Sequence, residues 1–279
     1  MSETFRFMVG DFSCLAVSDG SLNYPPESLF ANAAPEEFRS ELARMGITTP
    51  LVTVPYTFFL VNTGQRRILV DLGAGSLAPT TGKLAENLRA AGYGPEEIDC
   101  VVITHAHPDH VGGALDAEGH LLFPKSRYYV WRREWEFWFS DKAANITWDH
   151  HDFTSIARRN LAPMAPRVTL VDTEEEILPG VAMWDASGHT PGHAVVSFVS
   201  GDGKLLCAAD TVASPLHLEH PDWVPVFDMQ PEKAEASKRR VFDTAARGDW
   251  LVLATHFPPF PSLGRVAKNG AGWLWRPAS

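Results

Sequence analysis

At 279 residues the chain has room for one large domain with an ample core, and its 45% apolar content is that of an ordinary globular protein. No apolar run approaches the ~20 residues of a membrane helix, and the start, Met1-Ser2-Glu3-Thr4-Phe5-Arg6, lacks the basic-then-apolar form of a signal peptide. A formal net charge of -10 disfavours a nucleic-acid backbone as partner, and disfavours strongly anionic substrates unless a metal supplies the attraction.

In chain order, strands are predicted over Phe5–Val9 and Ser13–Ser18. A helix is predicted over Pro35–Met45, with Pro at its start, Glu36 and Glu37 in the first turn and Gly46 as its stop. Thr53–Val61 and Arg66–Asp71 bracket Asn62-Thr63-Gly64-Gln65, a hairpin signal. Gly82–Ala91 reads as a helix ended by Gly92, and Asp99–Thr104 as a buried strand. Arg127–Trp131 is a further strand, and Arg132–Phe139 and Asp152–Leu161 read as helical. Strands follow over Val168–Val171, Glu175–Leu178, Ala182–Ala186, Ala194–Val199 and Leu205–Ala209. Pro231–Ala246 is a long helix on which the basic run Lys238-Arg239-Arg240 reads as a solvated face. Trp250–Thr255 reads as the final buried strand. Two hairpin-rich blocks with interspersed helices suggest two sheets packed face to face with helices outside, an α+β sandwich of four layers in one domain, 1–279. Cys14, Cys100 and Cys207 form no CxxC pair and read as buried, reduced thiols, which fits a cytoplasmic protein.

Function is concentrated in Thr104-His105-Ala106-His107-Pro108-Asp109-His110, directly after Val101-Val102-Ile103. Three imidazoles and a carboxylate in six positions are the ligand types of zinc and similar divalent ions. The form "apolar strand, then ligand" recurs: Asp71 follows Ile68-Leu69-Val70, Asp210 follows Leu205–Ala209, and His256 follows Leu251–Thr255. His193 closes Gly188-His189-Thr190-Pro191-Gly192-His193; His189 competes with it as a ligand, and the Pro191-Gly192 turn directly before His193 favours the latter. Rigid strand ends hold ligands better than mobile loops.

His-x-His-x-Asp-His, then a distant His, an Asp and a last His, resembles the metallo-β-lactamase superfamily. The resemblance implies the αββα sandwich and a two-metal site along one edge. His105, His107 and His193 would hold one ion, Asp109, His110 and His256 the other, and Asp210 would bridge them. Asp71 would orient a ligand histidine, as metal-bound imidazoles usually require. Two divalent ions, zinc first with manganese, iron or cobalt as alternatives, would generate a hydroxide, with Asp210 holding them and Asp109 also steering a proton.

The ligand set narrows the branch. Flavodiiron oxygen reductases usually carry Glu where His107 stands, and zinc β-lactamases lack the bridging Asp. RNA-processing nucleases fit an acidic chain poorly. The stretches Leu88-Arg89-Ala90-Ala91-Gly92-Tyr93 with Ile98-Asp99, Ile103–Gly113, Ser187–His193, and His256-Phe257 with Pro261 and Gly264 are similar to methyl parathion hydrolases and lactonases, whose members cleave lactones, aryl esters or phosphotriesters, commonly as dimers. Acyl-homoserine lactonases often carry a Tyr three residues after the bridging Asp, and here that residue is Ala213. Phe137, Trp138, Trp223 and Phe257 are the candidate walls of a pocket for a small apolar ester, lactone or phosphotriester. Alternatives on the same scaffold are a thioester hydrolase resembling glyoxalase II and a mononuclear iron oxygenase. Neither nucleic acid nor membrane is expected as a partner, and a homodimer is.

Overall fold

The structure, a computed structural model, describes residues 3–278. One seven-stranded sheet runs, in spatial order, Thr4–Val9, Phe12–Tyr24, Val52–Asn62, Arg67–Val70, Cys100–Ile103, Arg127–Trp131, Val168–Val171. The second runs Glu175–Leu178, Val181–Asp185, Ala194–Ser200, Gly203–Cys207, Leu251–Leu253, Leu263–Asn269, Gly272–Pro277. Side chains alternate across a strand, so each strand feeds two layers. Cys14, Ala16, Phe59 and Val61 face the second sheet's Val196, Phe198 and Leu205, while Leu15, Val17 and Leu60 join an outer core with Phe38, Leu42 and Leu88. On the far side, Val195, Leu206 and Val252 pack against Val241, Phe242 and Ala245 of the Pro231–Arg247 helix. The result is the expected four-layer sandwich: helices, sheet, sheet, helices.

Strand direction explains why chemistry gathers at one edge. Arg67–Val70 and Cys100–Ile103 are parallel neighbours in the first sheet, as are Gly203–Cys207 and Leu251–Leu253 in the second. Parallel neighbours end together, so Asp71, the 104–110 loop, Asp210 and His256 all emerge at the carboxyl ends of their strands.

Three features differ from the sequence reading. The strand predicted over Ser13–Ser18 runs on to Tyr24 through a register shift between Ser18 and Gly20. Asp19 lies in that bulge, buried, and accepts from the Ala74 and Leu84 backbone N–H groups at 2.8 and 2.6 Å. The strand ending at Leu253 is not the last: Leu263–Asn269 and Gly272–Pro277 form a hairpin that completes the second sheet. Lys238 is not solvated; it is 1% exposed, with Nζ donating to the Pro221 and Trp223 carbonyls at 3.1 and 2.9 Å. Among the described residues no helix is long and apolar enough to cross a membrane.

Candidate metal centre

The strand Cys100–Ile103 is wholly buried, and the chain leaves the sheet at Thr104. Pro108 starts a four-residue helix, Pro108–Val111, whose fixed proline φ suits a first helical position. That turn swings Asp109 and His110 back beside His105 and His107. Asp71, held at φ 60°, ties the neighbouring strand end to this loop. Its Oδ1 accepts from the Thr104 backbone N–H at 2.8 Å; its Oδ2 accepts from the Thr104 hydroxyl at 2.8 Å and from His110 Nδ1 at 2.7 Å.

Two groups of ligand-type atoms result, each with its atoms within 4.8 Å of one another: His105, His107 and His189, and Asp109, His110, Asp210 and His256. Asp210 lies between them. Its Oδ2 is 3.9 Å from His105 Nε2 and 3.4 Å from His189 Nε2, and its Oδ1 is 2.9 Å from His110 Nε2 and 3.2 Å from His256 Nε2. The outward ring nitrogens are already committed. His110 donates to Asp71, His189 to Asp228 Oδ1 at 2.8 Å, and His256 to the Pro55 carbonyl at 3.1 Å. Each inner Nε2 therefore faces the shared floor, where His189 Nε2 lies 2.9 Å from His107 Nδ1 and His256 Nε2 3.3 Å from Asp210 Oδ2.

The donor set fits a pair of divalent cations. His105 Nε2, His110 Nε2 and Asp210 Oδ1 are buried and make no hydrogen bond. His110 Nε2 and Asp210 Oδ1 lie within reach of each other, yet they do not meet in hydrogen-bonding geometry; they converge on shared space. The electrostatics agree. Burial alone would discharge His110, but Asp210, Asp109 and Asp71 together push its imidazole well above the usual range. Burial and its imidazole neighbours hold His105 and His107 well below that range, as neutral nitrogens. Despite burial, His110, His256 and His105 hold the Asp210 carboxyl well below the usual carboxylate range. A site that pulls positive charge in among neutral nitrogens is chemically one that would take a metal.

His193 does not join either group. Its Nδ1 donates to the Ala186 carbonyl at 3.0 Å and its Nε2 accepts from the Asp210 backbone N–H at 3.2 Å, so both nitrogens are spent. It braces the Asp210 turn from behind, and the structure brings His189 into the position expected of His193. The cause is Glu134, buried in the Arg132–Phe139 helix. Its Oε1 accepts from the Ala106 N–H (2.9 Å) and Trp138 Nε1 (2.7 Å), its Oε2 from the Thr190 hydroxyl (2.6 Å) and the Gly192 N–H (3.0 Å). One carboxylate thus pins the 105–107 loop and the 189–193 loop together. Gly192 permits the approach, since a Cβ there would lie 2.2 Å from the Glu134 nitrogen. Nothing local marked Glu134; it looked like one charge on an amphipathic helix. Asp228 was missed as well: it lies in the connection before the Pro231–Arg247 helix, in no recognisable motif.

The groups lie in the floor of a cavity of about 680 Å³. Its aromatic wall is Tyr24, Trp148, Phe153 and Phe227, not the expected Phe137, Trp138, Trp223 and Phe257. Trp138 is fully buried behind His107, its ring centroid 5.9 Å away, and Phe137 packs on Trp138. Trp223 packs on Phe30 in the outer core, and Phe257 on Trp275 beneath the second sheet. Trp148 and His151 belong to a short hairpin, Thr147–Trp148 with His151–Asp152, that forms one lip.

The chain is similar to known lactonases and hydrolases. N-acyl homoserine lactonases of Bacillus thuringiensis and Bacillus cereus are 23% identical to the chain over 228 and 227 residues, covering 74% of it and 82% of their own length. Among solved structures, AidC, a dizinc quorum-quenching lactonase in complex with a product, superposes with a TM-score of 0.91 at 26% identity, over 99% of this chain and 97% of that one. AbOPH, a hydrolase of the β-lactamase superfamily, gives 0.92 at 26% identity over 100% and 98%. The sequence profile of the metallo-β-lactamase superfamily matches residues 52–256, which span both groups of ligand-type residues, and the chain belongs to that superfamily.

Proposed function

We propose that the chain is a dinuclear metal-dependent hydrolase of lactones and aryl esters, with activity on phosphotriesters as an extension. One observation carries the reading: two clusters of ligand-type residues, joined by Asp210, share the floor of a cavity whose walls are largely apolar and aromatic. His105, His107 and His189 would hold one ion, Asp109, His110 and His256 the second, and Asp210 both. When bound, two such ions lower the pKa of water and polarise the scissile carbonyl. Asp71, Asp228 and the Pro55 carbonyl hold the outer nitrogens of His110, His189 and His256, so the inner nitrogens would be the ones turned to the ions. Asp109 lines the cavity, where it would pass a proton to the leaving oxygen. Tyr24, Trp148 and Phe227 exclude water around a neutral, apolar substrate.

The lactonase relatives support lactones as the first class to try, and the dizinc relative supports zinc. Association as a homodimer and residence in the cytoplasm are parts of the same proposal, the former checked by light scattering. Purified, zinc-loaded protein is expected to open acyl-homoserine lactones and to cleave aryl acetates. Chelation abolishes this and zinc restores it. Metal-loaded protein that cleaves no lactone or aryl ester contradicts the proposal; turnover of a glutathione thioester alone would transfer it to thioesters.

A further inference from the structure

The cavity wall carries a pair of phenols that the proposed chemistry has not yet used. Tyr24 ends the strand Phe12–Tyr24 and Tyr56 lies in the adjacent strand Val52–Asn62. Tyr24 is paired with Val52, and Tyr56 stands four residues further along that strand, an even offset that puts both rings on one face. Their hydroxyls hydrogen-bond to each other. Among the described residues neither hydroxyl has another hydrogen-bond partner.

Proton counting then matters. Two hydroxyls carry two protons, and one hydrogen bond between them uses one. The other needs an acceptor. Tyr56 is fully buried, its ring 5.1 Å from that of His256, whereas Tyr24 lines the cavity. The spare proton therefore belongs to Tyr24, directed at whatever fills the cavity. The ring is held in place: Trp148 stacks on it at 5.4 Å and Phe227 meets it edge-on at 5.9 Å. A phenol keeps its proton throughout the neutral range, so both remain donors. The nearby cavity hydroxyl of Ser28 is spent on the Pro25 carbonyl at 2.7 Å, and Ala213 offers no side-chain donor.

We infer that Tyr24 donates a hydrogen bond to the carbonyl oxygen of the bound lactone or ester, with Tyr56 donating to the Tyr24 oxygen behind it. This rests on the hydrolase reading above and deepens it, because it names the carbonyl as the group the cavity wall recognises. A donor that strengthens its bond as charge develops on the carbonyl oxygen acts mainly on kcat. A chain of two hydroxyls also polarises the outer one, so the inner phenol has a smaller effect.

The test compares Tyr24→Phe and Tyr56→Phe, each loaded with zinc, for kcat, KM, metal content and melting temperature. Tyr24→Phe is expected to lower kcat on a lactone by about 100-fold, with KM, metal content and melting temperature close to wild type. Tyr56→Phe is expected to cost less than about tenfold. Tyr24→Phe activity within about threefold of wild type would overturn the inference. Equal losses from the two variants, or a Tyr24→Phe protein that loses its metal or its melting transition, would assign the pair a structural role and overturn it as well. Wild-type protein without lactone or ester turnover would end the hydrolase reading and this inference with it; normal wild-type turnover with an undisturbed Tyr24→Phe removes only the inference.

Discussion

At the scale of single residues, the site is governed by which nitrogen of each imidazole carries a proton. Asp71 settles this for His110 through a 2.7 Å hydrogen bond, while its other contacts hold Thr104. An Asn in its place presents a donor where an acceptor is required. Asp71→Asn is therefore expected to fold but to bind zinc about 10–100-fold more weakly, measured by competition with a chelator; unchanged affinity would deny Asp71 its orienting role. Glu134 does comparable work for two loops. Glu134→Ala strands four donors, and the expected cost is roughly 3 kcal/mol or more, read from the denaturant midpoint. A loss under about 1 kcal/mol would show that the loops do not depend on it. The gathering of His105, His107, Asp109, His110, Asp210 and His256 was legible in the sequence because each follows an apolar strand or sits in one dense cluster. The choice between His189 and His193 was not, because Glu134, more than fifty residues earlier, decides how that loop is turned.

At the scale of elements, the strand ends carry the ligand-type residues and the connections supply much of the wall. The helix read in the sequence over Pro231–Ala246 is present as Pro231–Arg247, but its inward lysine was not legible. Burial pushes the Lys238 ammonium down to about 8, against the opposing pull of Asp228, Glu235 and Asp222. Its two bonds to the Pro221 and Trp223 carbonyls hold the segment that continues into Phe227 and Asp228, and so into the cavity and His189. Between about pH 8 and the ordinary lysine range the unfolded chain binds a proton that the folded chain lacks, so stability rises with pH there. Wild type is expected to gain about 2 kcal/mol relative to Lys238→Met between roughly pH 8 and 9.5, by chemical denaturation. Parallel curves for the two proteins would contradict this. The wall aromatics were misread because an aromatic run on a helix looks like a pocket, whereas Trp138 is core. Tyr24 lay beyond where the bulge at Asp19 cut the predicted strand short.

At the scale of the whole molecule, period-two alternation gives each sheet one face against the other sheet and one against its helices, which makes the four layers. The C-terminal hairpin was overlooked even though Asn269-Gly270, with Gly270 at φ 54°, is a strong turn signal. The sandwich would also make a bound metal a structural clip, because the first sheet's side carries His105, His107, Asp109 and His110, and the second's His189, Asp210 and His256. Ions that bind only the folded chain stabilise it by about 4 kcal/mol at a thousandfold excess over Kd. Chelation is thus expected to lower the melting temperature by roughly 10 °C, followed by calorimetry or circular dichroism; a chelated protein that melts unchanged would separate the site from the fold. The most direct test of the central claim is elemental analysis of the chain purified with zinc supplied. Two divalent ions per chain are expected, and one ion or none would contradict the two-metal site.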